Sequence, residues 1–136
     1  MYLLGTKITA CTRQDLLTFL LNRIDSKSKA IVLSGNVYSF NLAYELPWLS
    51  AFFNKADVVR IDGEGLRLGG KLLGYDLPSR ITWAECAWNL AHFCEQQDFT
   101  LFFLGASPGV ADHAAICLKE QFPNLNILGT QHGYFD

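Results

Sequence analysis

The sequence predicts an α/β protein with a mainly parallel sheet, helices on both faces and a Rossmann-like arrangement. Two observations support this fold class: short apolar runs alternate with segments of helical periodicity, and those runs are nearly continuous in apolar residues. Strands of this kind are buried on both faces. A length of 136 residues without a linker, repeat or low-complexity tract predicts a single domain over residues 1–136, and 50% hydrophobic residues can form its core.

The first elements follow from caps and apolar spacing. We expect a short strand over residues 2–8, and then a helix capped by Thr12 whose apolar residues recur with helical spacing over residues 15–24. Residues 30–33 form a β-branched apolar run that predicts a buried strand. This strand leads into a polar loop, Ser34-Gly35-Asn36.

A proline divides the next helical segment. Residues 41–51 have helical character, but Pro47 removes a backbone donor and disfavours helical geometry before it, so we expect a break near Leu46. Residues 57–62 then predict a second buried strand that places Asp62 at its carboxyl end.

The remaining elements continue the alternation of strand and helix. A short helix over residues 66–73 ends at Gly74, and Thr82 is expected to cap a longer helix that reaches Phe93. Strands are predicted at 100–104 and 125–129, with a helix at 110–121 that has Pro108 in its first turn.

Composition excludes several classes of partner. A net charge of −2 and a pI of about 5.9 provide no basic surface for a polyanion, so nucleic acid is not expected as a partner. The four cysteines lack zinc-site spacing and are predicted to be reduced core residues, with no metal bound. Without a signal peptide or an apolar run of about 18 residues, the chain is predicted to be cytoplasmic, with only peripheral contact to a membrane.

Four glycine-containing loops follow predicted strands. Ligands bind at the carboxyl ends of parallel strands, and glycine lets backbone N–H groups approach a diphosphate. The spacing of Gly105 and Gly109 differs from the dinucleotide and P-loop patterns, so NAD and ATP are not indicated. Each loop taken alone is equally consistent with a structural turn. The loops are 34–36, 62–65, 105–109 and 129–133.

Several polar residues in these loops have two interpretations. Asp62 is either a partly shielded general base or the cap of the helix that follows, and the residues alone leave these balanced. Arg80 could meet phosphate or form a surface or internal salt bridge. His132 lies in a strand-end loop and could reach a ligand, whereas His92 and His113 fall within helices. Trp83 and Trp88 are predicted to be core residues.

An ordered set of segments resembles the WecG/TagA/CpsF family of bacterial glycosyltransferases. The central segment is Val58-Val59-Arg60-Ile61-Asp62-Gly63, and the others follow in the family's order and spacing. Together they cover most of the chain, so their joint occurrence is much more specific than any one of them. The segments are residues 34–36, 58–65, 72–82, 102–110, 122–125 and 132–135.

The resemblance implies an inverting transferase that needs no metal or other cofactor. Such enzymes move an N-acetylmannosamine-type sugar from a UDP-sugar, which is a substrate, to an undecaprenyl-diphosphate-linked acceptor during surface polysaccharide synthesis. Asp62 matches the proposed general base, Asn36 a residue of the same pocket and Arg80 the arginine expected to meet diphosphate. Ser34 stands where the family usually has Thr, and Gly105, Gly109 and His132 would belong to the nucleotide-sugar cleft.

Typical family members continue beyond the point that corresponds to Asp136. The resemblance therefore implies that residues 1–136 are the N-terminal part of the catalytic domain, acting at the inner face of the cell membrane. The alternative is an inactive nucleotide-sugar-binding remnant or one subunit of a split enzyme. An exposed sheet edge would favour pairing with another copy of the chain or with a second subunit.

Overall fold

The computed structural model describes residues 1–135, except for the side chains of residues 83–85. The predicted core position of the Trp83 side chain therefore lies outside the described residues. The chain contains both helices and strands, which confirms the α/β part of the prediction, and it divides into two compact units, Met1–Trp83 and Ala84–Asp136. Strands of the described residues pair as one antiparallel and two parallel two-stranded sheets.

The first unit begins with a tight antiparallel hairpin. Strands β1 (Tyr2–Leu3) and β2 (Thr6–Lys7) are joined by a turn at Leu4 and Gly5, which have φ values of 50° and 77°. The prediction of one strand over residues 2–8 is wrong, because two consecutive left-handed residues reverse the chain.

Thr12 caps helix α1 (Arg13–Asp25), as the sequence predicted. Its hydroxyl accepts a hydrogen bond of 3.2 Å from the Asp15 amide, and the Asp15 carboxylate accepts one of 2.8 Å from the Thr12 amide. This reciprocal pair is a capping box. The hydrogen bonds from the Thr12 backbone and hydroxyl lower the pKa of the Asp15 carboxyl.

A parallel strand pair forms the centre of the first unit. Strand β3 (Val32–Gly35) pairs with β4 (Val58–Ile61), with Ser34 opposite Arg60. Helices α2 (Val37–Glu45) and α3 (Pro47–Lys55) connect them. Leu46 is extended between these helices, which confirms the predicted break.

Strand β4 is buried on both faces. Val59 and Ile61 are 0% and 3% exposed and belong to a core that includes the edge-to-face rings of Phe40 and Phe53. Helix α4 (Glu64–Leu72) adds Leu66 to this core, and Gly74 follows with a φ of 81°. The predicted buried strand over residues 57–62 is therefore confirmed.

The second unit contains the other parallel pair. Helix α5 (Trp83–Gln96) begins at the last residue of the first unit, and β5 (Thr100–Leu104), α6 (Val110–Gln121) and β6 (Asn126–Gln131) follow. Strands β5 and β6 are parallel neighbours with a register shift between Leu101 and Phe102. The predicted bounds of β5 and α6 match the structure.

The core of the second unit lies on one side of its strands. Cys94 and Leu118, from α5 and α6, pack with the partly buried Leu101 and Phe103. Phe102 and Leu104 on alternate positions of β5 are exposed, so within this unit the strand is packed on one face. A strand with helices on one face alternates between packed and open positions.

Two other core predictions can be compared with the structure. Trp88 is 48% exposed with its ring centroid 6.3 Å from that of Phe122, so its predicted core position is wrong. All four cysteines are free thiols, and Cys86 and Cys94 are buried as predicted, whereas Cys11 and Cys117 are half-buried.

Candidate functional site

Hydrogen bonds join the polar segments at the carboxyl ends of β3 and β4. The Asp62 amide donates a 2.8 Å hydrogen bond to the Gly35 carbonyl, and the Ile81 amide donates one of 2.9 Å to the Ile61 carbonyl. The loop that contains Asn36, the loop that contains Asp62 and the segment that contains Arg80 therefore meet at one edge. The first unit thus holds four of the predicted site residues: Ser34, Asn36, Asp62 and Arg80.

Asp62 is not the cap of the following helix. The N-cap of α4 is Gly63, with a φ of 151° and no side-chain cap hydrogen bond. The Asp62 side chain is 26% exposed, and its Oδ2 lies 3.7 Å from Nη2 of Arg60. The capping interpretation is wrong, and a carboxylate that is partly open to solvent remains at the strand end.

Sequence reasoning missed Arg60, which is fully buried in β4. Its Nη2 donates a 2.5 Å hydrogen bond to Oγ of Ser34, which lies opposite in the parallel register. Since side chains alternate along a strand, Arg60 and Asp62 point to the same side, away from Val59 and Ile61. The sequence did contain a signal for Arg60, because it is a charged residue inside an apolar strand, two positions before the candidate carboxylate.

Asn36 has a structural function at the start of α2. The Asn36 Oδ1 atom accepts a 2.9 Å hydrogen bond from the backbone amide of Ser39. The backbone amide of Asn36 donates one of 3.0 Å to Oγ of Ser39. This cap starts the helix at Val37, earlier than the predicted position 41. A Cβ atom built on Gly63 would lie 3.8 Å from Cβ of Asn36, so the loops after β3 and β4 are neighbours. The Nδ2 group of Asn36 is outside this capping box.

Arg80 lines a cavity of about 320 Å³ together with a second arginine. Arg80 is half-exposed, and its Nε lies 4.0 Å from Oε1 of Glu64, which Arg67 contacts more closely at 2.6 Å. An exposed ion pair at that distance contributes little, so Arg80 keeps its capacity to bind an anion. Sequence reasoning missed Arg13, although its position directly after the Thr12 cap was a signal. The cavity is lined by Thr12, Arg13, Pro78, Ser79, Arg80 and Ile81.

The second unit brings together two other predicted residues. The Gly105 amide donates a 2.9 Å hydrogen bond to the Gln131 carbonyl, and the Gly133 amide donates one of 2.8 Å to the Ala106 carbonyl. A Cβ atom on Gly133 would lie 3.1 Å from Cα of Gly105. The loops that contain Gly105 and His132 are therefore in close backbone contact, which glycine permits.

His132 and Gly109 have defined local environments. Nδ1 of His132 accepts a 3.2 Å hydrogen bond from the Tyr134 amide, which places the proton of a neutral ring on Nε2. Gly109 is the N-cap of α6 and has a φ of 84°. Pro108 therefore precedes the cap, and its predicted place in the first helical turn is wrong.

The described residues lack both a metal-binding cluster and a membrane-spanning helix. Among them, no group of three or more His, Cys, Asp or Glu side chains could hold a metal ion. Within the same part of the chain, no helix has both the length and the apolar character needed to cross a membrane.

Comparison with known proteins agrees with the motif order. The N-acetylglucosaminyldiphosphoundecaprenol N-acetyl-beta-D-mannosaminyltransferase of Bacillus spizizenii (strain ATCC 23059 / NRRL B-14472 / W23) is 29% identical over 111 residues. The aligned region covers 82% of this chain and 43% of that relative, so the matched part spans less than half the relative's length. The sequence profile of the glycosyl transferase WecG/TagA/CpsF family matches residues 1–136. The chain therefore belongs to the WecG/TagA/CpsF family of glycosyl transferases.

Proposed function

We propose that this protein acts in the transfer of an N-acetylmannosamine-type sugar from a UDP-sugar to an undecaprenyl-diphosphate-linked acceptor. The observation that carries the proposal is the half-buried Asp62 carboxylate at the joined ends of β3 and β4. The relative from Bacillus spizizenii, whose name includes such an acceptor and an N-acetylmannosaminyl group, supports the choice of acceptor and of transferred sugar. The reaction would serve cell-envelope polysaccharide synthesis at the inner, cytoplasmic face of the membrane.

Asp62 acts as the general base in this proposal. Its carboxylate takes the proton from the acceptor hydroxyl as that oxygen attacks the anomeric carbon of the donor sugar. The new carbon–oxygen bond forms while the bond from the anomeric carbon to the diphosphate breaks, and UDP leaves with the electron pair. A single displacement of this kind inverts the anomeric configuration. No metal or other cofactor takes part.

The cationic cavity supplies a site for diphosphate. Arg80 and Arg13 line the same space, and guanidinium groups bind phosphate oxygens through fixed pairs of N–H donors. Ser34 and Asn36 border the carboxylate from the neighbouring strand end. In the second unit, Nε2–H of His132 and the backbone near Gly105 and Gly109 would contact the nucleotide sugar.

We also propose how the strands are arranged in sheets and what pairs with them. Each parallel strand pair would belong to a Rossmann-like parallel sheet covered by helices on both faces. A second copy of the chain, or a different subunit, would pair with the open edge of such a sheet.

Transfer of radiolabelled N-acetylmannosamine from its UDP derivative to undecaprenyl-diphosphate-N-acetylglucosamine, followed by chromatography of the lipid product, tests the proposal. We expect transfer by the wild type and a loss of about 100-fold or more in Asp62→Asn, since general-base catalysis contributes about 10²–10⁴-fold. Asp25→Asn, which removes an exposed carboxylate at the end of α1, is the control and should retain full activity.

The outcomes separate the alternatives. Near-normal transfer by Asp62→Asn would show that Asp62 is not the base. Calorimetric binding of UDP-sugar without transfer would identify a non-catalytic nucleotide-sugar-binding subunit. The absence of both UDP-sugar binding and sugar transfer would overturn the proposed function.

A further inference from the structure

We propose that Arg60 is a positioning residue that, together with Ser34, fixes the orientation of the Asp62 carboxylate. This inference rests on the proposed role of Asp62 as the base. One nitrogen makes both connections: Nη2 of Arg60 is 2.5 Å from Oγ of Ser34 and 3.7 Å from Oδ2 of Asp62. Since Nη2 carries two hydrogens, it can donate one to the serine hydroxyl and direct the other toward the carboxylate.

The backbone fixes these three side chains relative to each other. Arg60 and Asp62 are two positions apart in extended chain, so they project to the same side. Ser34 is the register partner of Arg60 on the neighbouring strand, which puts its hydroxyl beside the same guanidinium. The arrangement depends on rigid strand pairing, and positioning groups on strands hold their geometry more closely than groups on loops.

The burial of Arg60 supports a functional reason for its presence. The side chain is 0% exposed in a strand whose other residues are Val58, Val59 and Ile61. Removing a guanidinium from water is unfavourable, and well-packed apolar residues often stabilise such positions equally well or better. A strand selected only for core packing would therefore carry an apolar residue at position 60. Residues that violate such local rules concentrate at functional sites.

The distance between the two charges suits positioning. At 3.7 Å, Nη2 and Oδ2 attract each other electrostatically but are too far apart for a direct hydrogen bond. The lone pairs of the carboxylate thus remain available to accept the proton of the acceptor hydroxyl. Arg60 attracts the Asp62 carboxylate from the buried side, and the 26% of the side chain that is exposed leaves the other side accessible to a substrate.

Arg60→Met, which keeps side-chain length and apolar packing but removes the charge, tests the inference. We expect kcat to fall about 10- to 100-fold with KM changed less than about twofold, because misplacement of a catalytic group by 1 Å can cost about 100-fold. Arg60→Lys, which retains the charge, should recover part of the loss, and Ser34→Ala should lose less than Arg60→Met. Arg23→Met, which removes a partly exposed arginine paired with Asp57, is the matched control and should retain its kcat.

A double-mutant cycle distinguishes positioning from a merely structural role. If Arg60 acts through Asp62, Asp62→Asn/Arg60→Met should be no slower than Asp62→Asn alone. An equal loss in both backgrounds, or a lower melting temperature with unchanged kcat, would overturn the inference. Arg60→Lys provides the same comparison if Arg60→Met does not fold.

Crystal structures of the wild type and of the Arg60 variants provide a readout that does not need activity. We expect Asp62 in one orientation in the wild type and in a shifted or multiple orientation in Arg60→Met. An unchanged carboxylate in the variant would refute positioning by Arg60 even if no transfer were detected. A displaced carboxylate in a protein that transfers no sugar would instead refute only the proposed function.

Discussion

The amide of Asp62 donates a 2.8 Å hydrogen bond to the carbonyl of Gly35, so the ends of the two strands are joined at the candidate base. Gly35 also lies against Phe40, where a Cβ atom would be 2.6 Å from Cε2 of the ring. We expect Gly35→Ala to destabilise the protein by about 1–3 kcal/mol through overpacking. It should also displace Asp62 and lower transfer activity.

Urea denaturation of Gly35→Ala measures this effect, and Gly69→Ala is the matched control. A Cβ atom on Gly69 would meet no atom within 4 Å, and the residue lies inside α4. There, alanine should stabilise the protein by about 0.8–1 kcal/mol through helix propensity. Equal stability of the two variants would contradict the packing argument at Gly35.

The capping box of α1 predicts a pH dependence. Hydrogen bonds from the Thr12 backbone and hydroxyl hold the pKa of the Asp15 carboxyl below its ordinary value. Because the folded pKa is the lower one, this contribution to stability is present above the unfolded pKa and is lost as pH falls through the folded pKa. The melting temperature of the wild type should therefore fall more steeply below about pH 4 than that of Asp15→Asn.

Thr12→Ala tests the other half of the same box. The variant should lose about 1 kcal/mol at neutral pH, which is typical for removal of an N-cap hydroxyl. Its acid dependence should also be weaker than that of the wild type, since the side-chain donor to Asp15 is gone. Parallel acid titrations of Thr12→Ala and the wild type would contradict the assignment of this pH dependence to the cap.

Burial predicts the order in which the thiols react. It raises the pKa of Cys94 to about 11, and it also raises the pKa of Cys11, with Asp15 adding to that effect and Arg60 opposing it. Because the thiolate is the nucleophile, iodoacetamide at about pH 8 should modify Cys94 very slowly in the folded protein. Half-buried Cys117 should react faster.

Peptide mass spectrometry after timed alkylation measures these rates. In urea, all four cysteines should react at similar rates, because the protection arises from folding. Modification of Cys94 as fast as Cys117 in the native protein would show that the α5 core opens readily.

The two arginines of the cationic cavity should contribute to diphosphate binding. Arg80→Gln and Arg13→Gln should each raise KM for a diphosphate substrate about tenfold, because charge-assisted hydrogen bonds contribute roughly 1.5–3 kcal/mol. Arg23→Gln, which lies at the other end of α1 from Arg13, should leave KM unchanged. Steady-state kinetics with each substrate varied would show which diphosphate the cavity binds, and unchanged KM in both variants would contradict its role.

Signals within one or two helical turns made the local structure predictable. Thr12 marked a helix start, Pro47 marked a break, and the apolar run at residues 100–104 gave the bounds of β5. The order of the motifs also indicated the family, which the match over residues 1–136 shows. These features depend on residue types and short spacings, which a sequence displays directly.

Tertiary structure decided the environment of each candidate residue. Ser34 and Arg60 are 26 positions apart, and only the register of β3 against β4 makes them neighbours. Gly63, rather than Asp62, became the cap of α4 because the backbone turns there with a positive φ. The sequence by itself thus determined most of the elements, the family and the candidate carboxylate. Strand pairing and burial decided that a fully buried arginine lies beside that carboxylate, because contacts between distant residues depend on how the elements pack.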